Sequence, residues 1–465
     1  MTTAIKDRLP RLTKLFYGVS DFGFACTDTT MQVLFAIFMT DVVGLKPAYA
    51  ALAVFIGRTW DYINDPLIGY FTDRTRSRWG RRRPFLLFGF IPFGLMFAMM
   101  WYRPPTDNQF LLCAYYAAAY FFFDTSYTFV TMPYVALTPE LTQDYDERTS
   151  LTTYRMAFSI LGSLVAFIVP LMIIGTMRPE NSGRVFMMGG IFGAACALPL
   201  LFTFFSTREK EEYYTQSQPS MRESLRAVWK NRPFLFAAGI FLFTWTAADI
   251  IQAFLLYFLK YRMNMEANSD LIMGAIFITA LLVLPFWEWA SRKTDKRKAY
   301  VAGMIFLASI MTILIFLSPS SGLPMVLIMA VLAGIGVSAI HVLTWAIIPD
   351  AVEADELTTG HRHEGIFYSL VSLFKKVASS IAIPLTLLVL SWSGYVSNSA
   401  VQKPSAILAI RILIGPVPAV LLLGGIIFAI YYPLTRADHA RMRVEIAERH
   451  KSSDDEQTHG PDASI

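Results

Sequence analysis

Charge is what this sequence has least of. Only 16% of its 465 residues are Asp, Glu, Lys or Arg, against 55% that are hydrophobic, where soluble domains carry about 25% charged residues. That scarcity excludes an ordinary soluble chain. Cysteine is nearly absent too: Cys26, Cys113 and Cys196 lie scattered in apolar stretches, with neither metal-ligand spacing nor a disulfide framework, and read as packing residues. A phosphate-cradling glycine loop, a nucleophile elbow and catalytic-triad spacing are all missing, which argues against ATP-driven transport and hydrolysis. The chain therefore reads as no enzyme and as needing no cofactor; energy comes from an ion gradient or from the solute. His361 and His363 stand near each other in 358–364, but without cysteines or an HExxH helix they read as loop residues. The formal charge of +5 sits in loops between apolar spans, so membrane topology explains it and a nucleic-acid partner does not.

What the chain has in abundance is long apolar runs. Twelve stand near 12–42, 48–73, 84–102, 108–139, 149–177, 184–206, 234–262, 269–291, 298–318, 324–349, 364–394 and 405–433, each close to or above the roughly 20 residues that cross a bilayer. This predicts an all-α membrane protein of twelve transmembrane helices. Six fall in 1–206 and six in 233–433; the polar stretch 207–232 reads as a cytoplasmic linker, and 434–465 as a cytoplasmic tail. The loops after the second and eighth spans are basic, Arg74 to Arg83 and Arg292 to Lys298, which puts them and both termini in the cytoplasm. The first span follows Lys6, Arg8, Arg11 and Lys14 without a small-residue cleavage site and reads as a retained helix, not a signal peptide. Two similar halves with matching basic hairpins predict two bundles rocking around a central site.

An ionisable side chain at mid-bilayer costs about 2.5–3.5 kcal/mol on insertion scales, so each needs a partner, a wet cavity or an ion. Asp61 and Asp65 stand four residues apart on one helical face with Asn64 beside them, an oxygen set that suits Na+ or a proton; an internal salt bridge with Arg58 or Arg155 is the alternative. Asp21 and Asp28, seven residues apart, share a face of the first span and flank a solute or pair locally. Arg155 and Lys376, deep in opposite halves, read as a clamp for an anionic or hydroxyl-rich solute, with one of Lys375 and Lys376 snorkelling to the interface. His341 and Trp345 share a face of the tenth span, where an imidazole and an indole can pack on a sugar ring or on each other.

Four segments then carry a resemblance: Thr40-Asp-Val-Val-Gly-Leu45, Arg58-Thr-Trp-Asp-Tyr-Ile-Asn-Asp-Pro66, Thr75-Arg-Ser-Arg-Trp-Gly80 and Pro133-Tyr-Val-Ala-Leu-Thr-Pro139. With them the chain resembles the glycoside-pentoside-hexuronide cation symporters, the melibiose permease-like group of the major facilitator superfamily, over nearly its whole length. The resemblance implies a cation site at Asp61, Asn64, Asp65 and Thr128, with Na+ possible at Asp61 and Asp65. It also supports Arg155 and Lys376 as cavity-lining residues and leaves Asp21 as a relocated carboxylate. The group's galactoside-gripping aspartates fall at Ala25 and Thr131, which turns the expectation from melibiose toward other hydroxylated or anionic solutes, hexuronides among them. The hairpin Asp73, Arg74, Arg78, Gly80 and Arg81 reads as a cytoplasmic gate. The animal sodium-dependent lysophospholipid symporters look similar in the same segments, including Tyr154-Arg155 and the lysine of the eleventh span. Three expectations follow: Na+- or H+-coupled symport of a sugar, glycoside or hexuronide; lysophospholipid symport; or a transporter-like sensor, which expects an output domain that the short tail does not supply. A functional monomer in a bacterial-type inner membrane, with membrane lipid and a small solute as partners, completes the reading.

Overall fold

The computed structural model describes residues 9–142, 145–209, 231–359, 364–399, 401–434 and 441–442, and these are helices and short connections without a strand. Most of the linker, His361, His363 and most of the tail lie outside the described residues. The helices run α1 (Arg11–Ile37), α2 (Pro47–Arg74), α3 (Arg83–Met100), α4 (Gln109–Leu141), α5 (Tyr145–Ile174), α6 (Ser182–Ala197), α7 (Pro199–Ser206), α8 (Arg232–Tyr257), α9 (Ser269–Lys293), α10 (Lys296–Leu314), α11 (Gly322–Thr359), α12 (Glu364–Trp392), α13 (Pro404–Ile414) and α14 (Pro416–Ile430). A bilayer offers backbone groups no partner, so helices are the form an apolar chain of this kind must take.

Local chemistry sets the boundaries. Asn108 caps α4 by accepting from the Phe110 and Leu111 amides, Asn231 caps α8 through Phe234, and Asp295 caps α10 through Arg297, each satisfying amides that a helix leaves orphaned. The sixth and twelfth expected spans are each two helices, α6 with α7 and α13 with α14. The breaks fall at Leu198-Pro199 and Gly415-Pro416, where proline has no N–H to continue the ladder.

Ten helical stretches among the described residues are long and apolar enough to cross a membrane. The two long helices that fail this test are α2 and α4. They are 28 and 33 residues long, about 42 and 50 Å at 1.5 Å per residue, so length is not the reason. Arg58, Asp61, Asp65, Asp73 and Arg74 depress α2; Asp124 and several tyrosines depress α4. Three of these residues, Asp61, Asp65 and Asp124, belong to the site below.

Packing is tightest within each half of the chain: α1 lies on α5, α2 on α4, α3 on α4 and α6, while α9 lies on α11 and α8 on α14, α12 and α11. The α1–α5 contact is close enough that a β-carbon at Gly162 would stand 2.3 Å from the Phe22 carbonyl oxygen. Between the halves, α2 meets α12, α1 meets α8, and α5 meets α9. Large apolar side chains such as Phe88, Phe110, Leu282 and Phe316 face outward, the arrangement a lipid surround favours and water does not.

Candidate functional site

The α2–α12 contact carries the charge. Asp61 and Asp65 lie one turn apart on α2, and the Lys376 ammonium of α12 sits between them, 2.8 Å from Asp61 Oδ1 and 2.6 Å from Asp65 Oδ2. Thr128 of α4 donates to Asp65 Oδ1 at 3.2 Å, so Asp65 is held from two helices. The Tyr62 hydroxyl reaches across to the Lys376 carbonyl oxygen at 3.2 Å and also bonds Ser380. Asn64 turns the other way: its amide nitrogen donates to the backbone oxygen and Oδ2 of buried Asp124, at 3.2 and 3.3 Å. Two carboxylates and one ammonium leave a net negative site. A lysine of one half thus lies between two carboxylates of the other.

Beside this pair lies a cavity of about 630 Å³ between α1, α5, α8, α9 and α11. Its lining is mostly apolar, with Ile160, Phe167, Leu255, Ile276, Leu281, Met329 and Val337 among its residues. Polar groups share the lining: Asp28, Thr29 and Gln32 from α1, Ser159 and Ser163 from α5, Gln252 from α8, Ser338 and His341 from α11 and Lys375 from α12. His341 Nδ1 contacts the Val337 carbonyl oxygen at 3.0 Å and its ring meets Trp245 edge-on, with centroids 5.2 Å apart; Trp345 packs on Phe241 and Trp245. The Lys375 ammonium lies 4.2 Å from the Trp245 ring centre.

A second cluster joins the two halves where α1 ends. Helix α1 runs into a π-helical turn, Phe38–Val42, that buries Asp41 completely. Asp41 pairs with Lys260 at 2.6 Å, accepts from the Tyr261 and Tyr395 hydroxyls and from Thr40, and its carbonyl oxygen accepts from Asn398 at 2.6 Å. Lys260 also donates to the Met177 carbonyl oxygen at 2.6 Å. Buried with a full set of donors, such a carboxylate is costly to strip of any one of them.

Residues 16–436 match the family described as MFS/sugar transport protein. The chain belongs to that family. An uncharacterized symporter of Synechocystis sp. is 33% identical over 96% of this chain and 98% of its own. The sodium-dependent lysophosphatidylcholine symporter 1-A of Danio rerio is 28% identical over 97% of this chain and 91% of its own. Among solved structures, the nucleoside transporter NupG superposes with a TM-score of 0.65 at 13% identity, covering 90% of this chain and 99% of that one, a likeness of fold alone. The protein is a multi-pass integral membrane protein and a secondary transporter of the major facilitator type.

In this transporter the residues expected to bind solute are distributed differently from the sequence reading. Arg155 and Lys376 do not form a clamp. Arg155 donates to Asp21 at 2.6 Å within the first half, lies over the Tyr134 ring and is absent from the cavity lining; the Tyr134 hydroxyl also bonds Asp21. The pairing follows from charge, since neighbouring α1 and α5 bring groups of opposite sign to their contact. Lys376 is turned inward, as expected, but onto the Asp61–Asp65 pair, and it is Lys375 that lines the cavity. His341 and Trp345 do line the cavity. At the hairpin, the side chain of Asp73 lies outside the described residues. Arg74 and Arg78 are exposed, Arg78 over the Trp79 ring. The Arg81, Arg82 and Arg83 amides converge on the Glu209 carboxylate at 2.6–2.9 Å. Gly80, at φ +104°, makes room, because a β-carbon there would stand 2.6 Å from that carboxyl group. Sequence reasoning missed Asp41, Lys260, Tyr261 and Tyr395. The signal was available: Phe38-Met-Thr-Asp-Val and Phe258-Leu-Lys-Tyr-Arg stand 220 residues apart, and both form π-helical turns.

Proposed function

We propose that the transporter couples the entry of Na+ to symport of a single-chain amphiphile, with the tail along the apolar lining of the cavity and the polar end at Asp28, Gln32, His341 and Lys375. The observation that carries the coupling is the Lys376 ammonium lodged between Asp61 and Asp65. Counting α2 and α4 with the ten apolar stretches gives twelve spans, divided into bundles 1–206 and 233–433 about the linker 207–232, with both termini cytoplasmic. The Asp41 cluster is then the outer gate, at the end of α1 away from the N-terminus.

The electrostatics supply a mechanism. A cation entering at Asp61, Asp65 and Thr128 cannot share the site with an ammonium, so it replaces Lys376. The released charge is on α12 next to Lys375, where it strengthens the cavity's hold on an anionic group. Cation and solute thereby favour each other without touching, and the doubly loaded state has lost the ion pairs that tie α2 to α12. Proton coupling predicts the same displacement by neutralising a carboxylate; similarity to a sodium-dependent relative supports sodium.

The size and apolar lining of the cavity favour an amphiphile over a small sugar. A second reading, symport of a glycoside or hexuronide, rests on the aromatic surfaces of Trp245, Trp345 and His341, which suit a sugar ring. Uptake into proteoliposomes under imposed sodium or proton gradients separates them, with a lysophospholipid, a neutral glycoside and a hexuronide as labelled solutes. Sodium-driven accumulation of the lysophospholipid, abolished in Asp65→Asn, is the expected result. Accumulation of a sugar alone moves the assignment to the second reading, and binding without uptake defeats symport.

A further inference from the structure

Two charges of opposite sign line the large cavity without forming a salt bridge among the described residues. Asp28 is exposed to it from α1; one carboxylate oxygen accepts from the Tyr127 hydroxyl at 2.8 Å, and the other accepts no hydrogen bond among the described residues. Lys375 faces it from α12, its ammonium over the Trp245 ring with no hydrogen bond or ion pair among the described residues. No salt bridge joins Asp28 to Lys375, whereas Asp21 pairs with Arg155, Asp41 with Lys260, and Asp61 and Asp65 with Lys376. A charge in the membrane interior needs a counter-charge or water, and here two complementary ones line one chamber from different helices.

We propose that Asp28 and Lys375 form a subsite for a zwitterionic headgroup: Lys375 takes the anionic group, such as a phosphate, and Asp28 takes the ammonium. The inference rests on the amphiphile reading and sharpens it to a headgroup class. A purely anionic head satisfies Lys375 and sets its charge against Asp28; a purely cationic head does the reverse; an uncharged head satisfies neither. Only a head carrying both charges neutralises both side chains, so specificity arises as much from repulsion of the wrong heads as from attraction of the right one. The Trp245 ring under the Lys375 ammonium keeps that side chain aimed into the chamber.

The test compares four amphiphiles of one chain length in competition for sodium-driven uptake by the full-length protein: a phosphocholine, a phosphate monoester, a trimethylammonium and an uncharged glycerol head. Wild type is expected to prefer the phosphocholine. Asp28→Asn is expected to lose about tenfold on phosphocholine and trimethylammonium and to keep or gain affinity for the phosphate monoester, each charged contact being comparable to a factor of ten. Lys375→Gln is expected to lose about tenfold on both phosphate-bearing heads and to keep the trimethylammonium, with Lys375→Arg restoring the order. Sodium-dependent thermal protection, read through Asp61 and Asp65, confirms that each variant is folded. Variants that leave the order of heads unchanged, or lower all four equally, overturn the subsite. A wild type that takes up a glycoside and none of the four amphiphiles overturns the underlying reading, and that result appears before any variant is made.

Discussion

Lys376 does at residue scale what a bound cation would do: it keeps Asp61 and Asp65 from standing as two bare carboxylates inside a membrane. Removing one partner of a fully buried ion pair costs about 3–5 kcal/mol, mostly through the charge left behind, and this half-buried one costs less. Lys376→Ala is therefore expected to melt at lower temperature in sodium-free buffer, with sodium recovering most of the loss, so that the sodium-dependent rise in Tm is larger in the variant than in the parent. Equal sodium responses in the two proteins would place the cation elsewhere. The same substitution is expected to leave solute binding independent of sodium, since no ammonium remains to be displaced; titrating the solute with and without sodium reads this directly. Asp61 and Asp65 were legible as a polar pair because i and i+4 share a helical face. Their partner was not. Two consecutive lysines point to different sides of a helix, and which side meets α2 depends on a residue 311 positions away.

At the scale of elements, the π-helical turns ending α1 and α8 show how the fold reuses one local device. In each an amide five residues on closes the turn, Val43 to the Phe38 carbonyl oxygen and Met263 to the Phe258 carbonyl oxygen, both at 3.0 Å. Each is followed by a residue at positive φ, Gly44 at 84° and Asn264 at 55°, types that tolerate the left-handed region. The wider turn lets Asp41 point at the opposing turn, where Lys260 and Tyr261 wait. Asp41→Asn replaces a charge-assisted set of bonds by neutral ones and is expected to favour the state open at that end. Labelling of Leu259→Cys, a buried cavity residue within the second turn, by a membrane-impermeant maleimide should accelerate several-fold in the Asp41→Asn background. An unchanged rate would reduce the cluster to a static brace. Element breaks were only partly legible: Pro199 and Pro416 announce themselves, yet proline inside α3, α5, α9, α11 and α12 leaves those helices continuous, because neighbouring helices can absorb the lost bond in a membrane.

For the whole molecule, the displacement mechanism makes a quantitative demand. If sodium tightens solute binding by some factor, solute must tighten sodium binding by the same factor, because both measure one coupling free energy. Isothermal titration of each ligand in the presence and absence of the other, in wild type and in Lys376→Ala, is expected to give matching factors in the first and factors near one in the second. Coupling that survives intact in Lys376→Ala would require another route between the sites.

The sequence alone determined the fold class, the helical stretches, the basic hairpins and the paired acids on α2, because these depend on composition and on spacing along one helix, which local periodicity encodes. Which charges meet was decided by the tertiary structure. Asp21 taking Arg155, Lys376 taking Asp61 and Asp65, Asp41 taking Lys260, and Asp28 and Lys375 left to face a common cavity all depend on how helices distant in sequence are rotated and set against one another. That rotation comes from packing across the whole bundle, and no single segment carries it.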